Sequence, residues 1–404
     1  LPMTDSTDSS TQARQPRYRL NKVLMALCAL TTVSYLVYRG LYTLNLESWY
    51  AVTASWMLYI TELWGGVSLL LFFLQIWEPT DPPEQQPLED VTIDVFVPSY
   101  NEEIPILRGT LQACLAMDCL HRTYLLDDGN RPEIRQLCEE LGVHYITRDN
   151  NLHAKAGNLN NALDQTDGEF VAILDADHIP EPNFLSRMVG YFRDEKLGFV
   201  QSPHAFSNFD TFQGRVNYEK GRFWDEGQLF YKVIQPARNA TDSVIFAGSA
   251  ALFRRAALKD VGYIATETIT EDMHTGIRMS AKGWKTMYCN ERLIAGQGAT
   301  DVTTFHGQRL RWAEGNLSIL AYDNPLTMKG LSLAQRLTYF ASIIHWAGGL
   351  PRLLIYLTPI LLLLTGVAPV QKFTWTLGLI FLAYIGTMLF TLRVVYRKYM
   401  NYPL

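Results

Sequence analysis

The run Phe170-Val-Ala-Ile-Leu ends in Asp175-Ala-Asp177-His178. Two carboxylates one residue apart project to the same side of an extended chain. Hard oxygen ligands in that arrangement suit Mg²⁺ or Mn²⁺, cations that keep positions open for substrate phosphates. His178 stands where a third ligand would. A bare D-x-D also occurs as a capped turn with solvated carboxylates, but the apolar strand before it and the imidazole after it favour the metal. Further along, Thr270-Glu271-Asp272 is a second acidic cluster. Such a cluster supplies a general base for a hydroxyl; capping of a helix is the alternative.

Polar residues close other apolar runs. Ser99, Tyr100 and Glu102 follow Val95-Phe-Val-Pro98, and Asp127-Asp128-Gly129 follow Tyr124-Leu-Leu126. Carboxylates and hydroxyls at strand ends can hydrogen-bond a base and a ribose, although each group taken alone reads equally as a turn. His153-Ala-Lys155-Ala-Gly157-Asn158 opens a helical stretch, where Lys155 and free backbone N–H groups could meet a diphosphate. Last comes Gln308-Arg309-Leu-Arg311-Trp312, within an amphipathic stretch from about 303 to 322. Arginine stabilises a diphosphate leaving group and a tryptophan face stacks on a pyranose. An interfacial helix anchored by Trp and Arg is the other reading, and both can hold.

Short β-rich runs alternate with helical stretches between residues 91 and 203. Strands are expected at Val91–Pro98, Tyr124–Asp128, His144–Arg148, Phe170–Asp177 and Gly198–Pro203, with Asp175 as the last residue of the fourth ladder. Helices are expected at Ile104–Met117, Pro132–Gly142, Lys155–Asp164 and Pro182–Arg193. This alternation implies an α/β fold with a parallel or mixed sheet covered by helices on both faces. Ligands bind such sheets at the carboxyl ends of the strands, where these polar residues fall.

The 404 residues are 48% hydrophobic, and the apolar ones concentrate near the two ends. Residues 23–44 and 50–77 are each long enough to cross a bilayer, as are segments at about 351–368 and 374–395. Arg39 and Glu62 interrupt the first two and must face protein or snorkel. Arg14, Arg17, Arg19 and Lys22 precede the first span, and Arg393, Arg397 and Lys398 trail the last. By the positive-inside rule both ends, and the block between, are cytosolic. The chain thus divides into a disordered tail (1–22), two membrane helices (23–78), a cytosolic catalytic domain (79–300), amphipathic interface helices (301–345) and two further membrane helices (346–404). Five cysteines without CxxC pairing point to a reducing compartment. A net charge of −5 argues against a nucleic-acid partner.

In this order the motifs resemble glycosyltransferase family 2, and most closely its processive, cellulose-synthase-type members, from about Asp94 to Pro325. Phe246-Ala247-Gly248-Ser249 belongs to the match, with Ala247 where the family usually carries Cys; the Q-x-x-R-W pattern marks members that make long polymers. The resemblance implies a GT-A fold in a multi-pass inner-membrane protein, UDP-glucose as donor, a growing β-1,4-glucan as acceptor, and inversion at the anomeric carbon. It assigns Asp272 as base and Asp175, Asp177 and His178 to Mg²⁺ or Mn²⁺. Ser99, Tyr100, Glu102, Asp127, Asp128, Lys155, Asp175 and Arg311 fall to the UDP-sugar; Gln308, Trp312, Gly248, Ser249 and Glu271 fall to the acceptor. It further implies export through a channel of membrane helices, with membrane lipid and accessory secretion subunits as partners. Mixed-linkage or 1,3-β-glucan, glucomannan, chitin and hyaluronan remain alternative products, and a non-catalytic scaffold is the reading from another class. The family's gating loop and its cyclic-di-GMP-binding domain are not visible, and the end at Leu404 reads as that of a fragment.

Overall fold

The computed structural model describes residues 9–204 and 226–396, with side chains from Leu20 onward. The chain forms two compact units, residues 79–343 and residues 1–78 with 344–404.

The 79–343 unit is built on a seven-stranded sheet. Its strands are β1 (Ile93–Ser99), β2 (Arg122–Asp127), β3 (His144–Ile146), β4 (Phe170–Ile173), β6 (Leu197–Gln201), β7 (Ala251–Arg254) and β8 (Lys285–Tyr288), while β5 (Ile179–Pro180) and β9 (Ile294–Ala295) pair separately. The order is β3-β2-β1-β4-β7-β6-β8. β1 lies parallel to β2 and β4, and β2 parallel to β3. Parallel neighbours need crossovers, supplied by the helices Ile104–Leu115, Pro132–Leu141 and Ala154–Gln165. The second begins on Pro132 and stops at Gly142, whose φ of 72° is left-handed. All seven residues of β1 are buried. Val95 and Val97 join the apolar cluster on one face and Phe96 the cluster on the other, as a strand of period two must when helices cover both sides.

The sheet is mixed, because β7 inserts antiparallel between β4 and β6. The fourth strand is also shorter than its apolar run, stopping at Ile173. Leu174 N–H still donates to Phe96 O, but Asp175 N–H turns to the Ser249 hydroxyl at 2.8 Å. A side chain thus takes the donor that a further ladder bond would have used, and both aspartates of D-x-D lie past the strand. The Pro182–Arg193 stretch divides into a helix, Phe184–Val189, and a 3₁₀ turn, Gly190–Arg193.

Among the described residues four helices are long and apolar enough to cross a membrane: Leu20–Tyr42, Trp49–Gln75, Leu333–Thr365 and Trp375–Tyr396. The first helix begins at Ser9, so residues 9–22 of the expected disordered tail are helical. Residues 1–8, and the basic Arg397 and Lys398, lie outside the described residues. Arg39 and Glu62 neutralise each other: Arg39 Nε donates to Glu62 Oε2 at 2.9 Å, and Tyr35 donates to Glu62 Oε1 at 2.8 Å. Arg39 is 1% exposed.

Candidate active site

The parallel register sets Ser99 beside Asp127, and the turn after β4 brings Asp175 to the same edge. At Asp127 the carboxylate is fully buried and engaged on both oxygens. Oδ2 accepts Arg131 N–H at 2.7 Å and the Tyr145 hydroxyl at 2.9 Å; Oδ1 accepts the Arg131 guanidinium at 3.0 Å and Gly129 N–H at 3.2 Å. The same guanidinium donates to Ser99 Oγ and to Glu102 O, both at 2.7 Å. Glu102 in turn accepts Ser99 Oγ–H and Tyr100 N–H at 2.7 and 2.8 Å. Asp128 is held by Arg148 in a two-pronged pair at 2.6 and 2.7 Å. Of this group only the Tyr100 side chain is well exposed, at 58%.

Arg148 also donates to Leu152 O at 2.7 Å and Ala154 O at 2.8 Å. It thereby shapes the loop before the Ala154–Gln165 helix, where His153 and Ala154 both carry positive φ, 60° and 43°. That turn aims Lys155 at the second cluster. Lys155 Nζ pairs with Asp175 and donates to Gly248 O at 2.8 Å. Burial opposes the Lys155 charge, yet Asp175, Glu271 and Asp272 outweigh it and hold its pKa above the ordinary lysine value.

Asp175, Asp177 and His178 bring ligand atoms within 4.8 Å of one another. Burial, then the charge of Asp175, pushes the Asp177 carboxyl up to about 6. Burial lowers the His178 pKa and favours the neutral imidazole; its Nδ1 lies 2.6 Å from Ser249 Oγ. Ser249 is fully buried and bonded to both Asp175 N–H and His178. It braces the aspartate loop from inside, since strand β7 starts just beyond it and carries it under the loop.

Glu271 and Asp272 occupy the first turn of the Glu271–Ala281 helix. Burial first, then neighbouring Glu271, raises the Asp272 pKa above the ordinary carboxylate range; Glu271 is raised too, mainly by burial. A Cβ added at Gly248, whose φ is +87°, would stand 3.1 Å from Asp272 Oδ2 and 3.8 Å from Lys155 Nζ. Glycine there lets backbone approach the Asp272 carboxylate and the lysine together.

Gln308, Arg311 and Trp312 lie on the Val302–Tyr322 helix, opened by Asp301, whose carboxylate accepts Thr304 N–H at 2.9 Å. Arg311 acts on Glu271 through its charge. The Trp312 ring carries the Arg309 guanidinium at 4.3 Å. In this arrangement Arg309 covers a ring face that the sequence offered to a sugar.

The deciding comparison is with family models. Residues 94–262 match glycosyl transferase family 2, and residues 258–400 match the cellulose synthase family. Residues 94–262 therefore carry a glycosyl transferase family 2 domain. It is 37% identical over 356 residues to the UDP-forming cellulose synthase catalytic subunit of Pseudomonas fluorescens (strain SBW25), covering 85% of this chain and 47% of that protein. With cellulose synthase 2 of Novacetimonas hansenii it shares 40% identity over 351 residues, 85% of this chain and 22% of that protein. The chain therefore spans about half, or less, of the curated relatives it matches. Among solved structures, the mannosyltransferase PcManGT from Pyrobaculum calidifontis, in complex with GDP-Man and Mn²⁺, superposes with a TM-score of 0.59 at 18% identity, covering 86% of this chain and 97% of that one. The mixed sheet is accordingly GT-A-like.

Arg131 and Arg148 were not among the residues singled out from sequence, and Arg309 was named only as part of the Q-x-x-R-W motif. Arg131 follows Asp127 by four positions, and that spacing was the available signal; Arg148 announces itself by nothing local.

Proposed function

We propose that this family 2 chain is the catalytic portion of a processive, inverting synthase that transfers glucose from UDP-glucose to the non-reducing end of a β-1,4-glucan. The identities to UDP-forming cellulose synthase subunits support the donor and product. The observation that carries the chemistry is Asp272, raised in pKa, set against Gly248 and Lys155 beside Asp175.

In this reading Asp272 accepts the proton of the acceptor's 4-hydroxyl as that oxygen attacks the anomeric carbon. A sugar hydroxyl is too weak an acid to react unaided at neutral pH, and base catalysis is worth about 10²–10⁴-fold. UDP leaves from the opposite face, so the configuration inverts. Asp175 and Asp177, with His178, would hold Mg²⁺ or Mn²⁺; two crowded carboxylates plus an imidazole make a donor set that fits such a cation. The bound ion would supply positive charge to the diphosphate as it departs. Lys155 and Arg311 add fixed charge on the donor side, and Gln308 and Trp312 seat the acceptor. Asp127, Asp128, Ser99 and Glu102 shape the nucleotide end chiefly through backbone held by Arg131 and Arg148, while Tyr100 presents a ring to it.

The catalytic unit faces the cytosol at the inner membrane, the membrane helices contribute to a glucan channel, and lipid and accessory secretion subunits complete the machine. The four apolar helices and the basic residues ahead of the first support this placement. The test is synthesis in isolated membranes supplied with labelled UDP-glucose and Mg²⁺ or Mn²⁺. A polymer cleaved by β-1,4-glucanase and abolished by EDTA is expected. Product made instead from UDP-N-acetylglucosamine or GDP-mannose, or cleaved only by 1,3-glucanase, would overturn the assignment of sugar or linkage.

A further inference from the structure

The Val302–Tyr322 helix rests on the helix that carries Asp272 at a spacing set by one glycine. A Cβ added at Gly315 would stand 2.6 Å from Thr270 Cγ2 and 2.9 Å from both Thr270 N and Thr270 Oγ1. Real Cβ atoms do not approach so closely, and one of the three obstacles is backbone at the start of the base helix. Below this contact, Ile319 packs in one apolar cluster with Met273 and Ile277. At the far end Asp323 accepts Arg278 Nε–H at 2.6 Å and meets His274 Nε2 at 2.8 Å. His274 is fully buried; burial keeps it neutral, so Nε2–H donates to Asp323.

Gln308, Arg311, Gly315, Ile319 and Asp323 recur at intervals of three and four, so they form one stripe along the helix. The stripe therefore joins a packed half, resting on Thr270, Met273, His274, Ile277 and Arg278, to a half bearing Gln308 on the acceptor side and Arg311 on the donor side. A shift of the helix at Gly315 would carry Gln308 and Arg311 with it while leaving Asp175, Asp177 and Lys155 untouched.

We propose that Gly315 is a positioning residue: its bare backbone seats the Gln308–Trp312 stretch at the distance from Asp272 at which an acceptor hydroxyl meets the base. This rests on the transferase reading above. Alanine exceeds glycine in helix propensity, so Gly315→Ala leaves the helix intact and tests spacing alone. Misplacement of about 1 Å can cost 10²-fold in rate.

The experiment compares wild type, Gly315→Ala and Gly315→Ala/Thr270→Ala as full chains in membranes. The expected result for Gly315→Ala is an elongation kcat about 10²-fold lower, with KM for UDP-glucose within threefold of wild type and the stoichiometry of UDP binding unchanged. The double variant, which removes the two side-chain obstacles, should recover at least tenfold. Elongation at the wild-type rate in Gly315→Ala would overturn the proposal. So would a fall in UDP-binding stoichiometry that accounts for the lost rate, since that marks a folding defect, and so would failure of the double variant to recover. A wild-type chain that makes no polymer from UDP-glucose would instead remove the transferase reading, and this inference with it.

Discussion

The two acidic ends of this sheet are built on opposite principles. At Asp127 and Asp128 the carboxylates meet full complements of donors from Arg131, Arg148, Tyr145 and backbone. At Asp177, Glu271 and Asp272 burial outruns the positive charge available, and the pKa values rise. A saturated carboxylate fixes chain geometry. An under-compensated one is poised to take a proton or a cation.

The sharpest way to break this contrast is Asp272→Asn, which keeps size and removes the proposed base. Elongation should fall by about 10²–10⁴-fold while the UDP dissociation constant stays within a few-fold. Loss of both in parallel would move Asp272 to donor binding, and survival of both would give the base to another carboxylate, Glu271 first. Next in size is Asp177→Asn, which takes one hard ligand from the cluster. Mn²⁺ affinity read by electron paramagnetic resonance should weaken at least tenfold, with polymer synthesis not restored by excess metal; near-normal yield would detach Asp177 from the metal.

A pH profile sharpens the comparison further. In the proposed role Asp272 works deprotonated, and its pKa is raised by burial and Glu271, so elongation should decline as pH falls through a value above the ordinary aspartate value of about 4. The limb should approach tenfold per pH unit in kcat and vanish in Asp272→Asn; a limb at the ordinary aspartate value would contradict the burial argument. The smallest catalytic effect belongs to the saturated end. Arg148→Ala strands Asp128 in a largely buried position, so it should cost about 3 kcal/mol of stability, visible as a lower thermal midpoint. The pH limb of the protein that remains folded should not move, and a shifted limb would place Arg148 in the chemistry.

Much of this was legible in the residues. The apolar runs marked β1, β2 and β4, and the polar residues closing them did collect at one edge, because parallel strands share a direction. The place of Ser249 was not legible. It depends on β7, a short run that pairs with strands distant in sequence, and such pairing leaves no periodic trace. Arg148 reached Asp128 for the same reason, since nothing near it in sequence tells which turn its guanidinium will meet. Arg39 and Glu62 were visible as anomalies in apolar spans, and their partnership needed only that each was the other's nearest remedy.

That partnership bears on how the protein is made. Glu62 sits midway along its helix and Arg39 near the end of the preceding one. A lone charge costs about 3 kcal/mol at the centre of an inserting helix and less toward its end, so the Glu62 segment most of all, and the Arg39 segment to a smaller degree, is a poorer substrate for lateral release into lipid than its apolar neighbours suggest. Joined by a short turn, the two can leave the insertion machinery as one hairpin with the ion pair already formed. Biogenesis of the first two spans then becomes a single cooperative event, and neutralising only one partner would penalise membrane integration before catalysis could be affected.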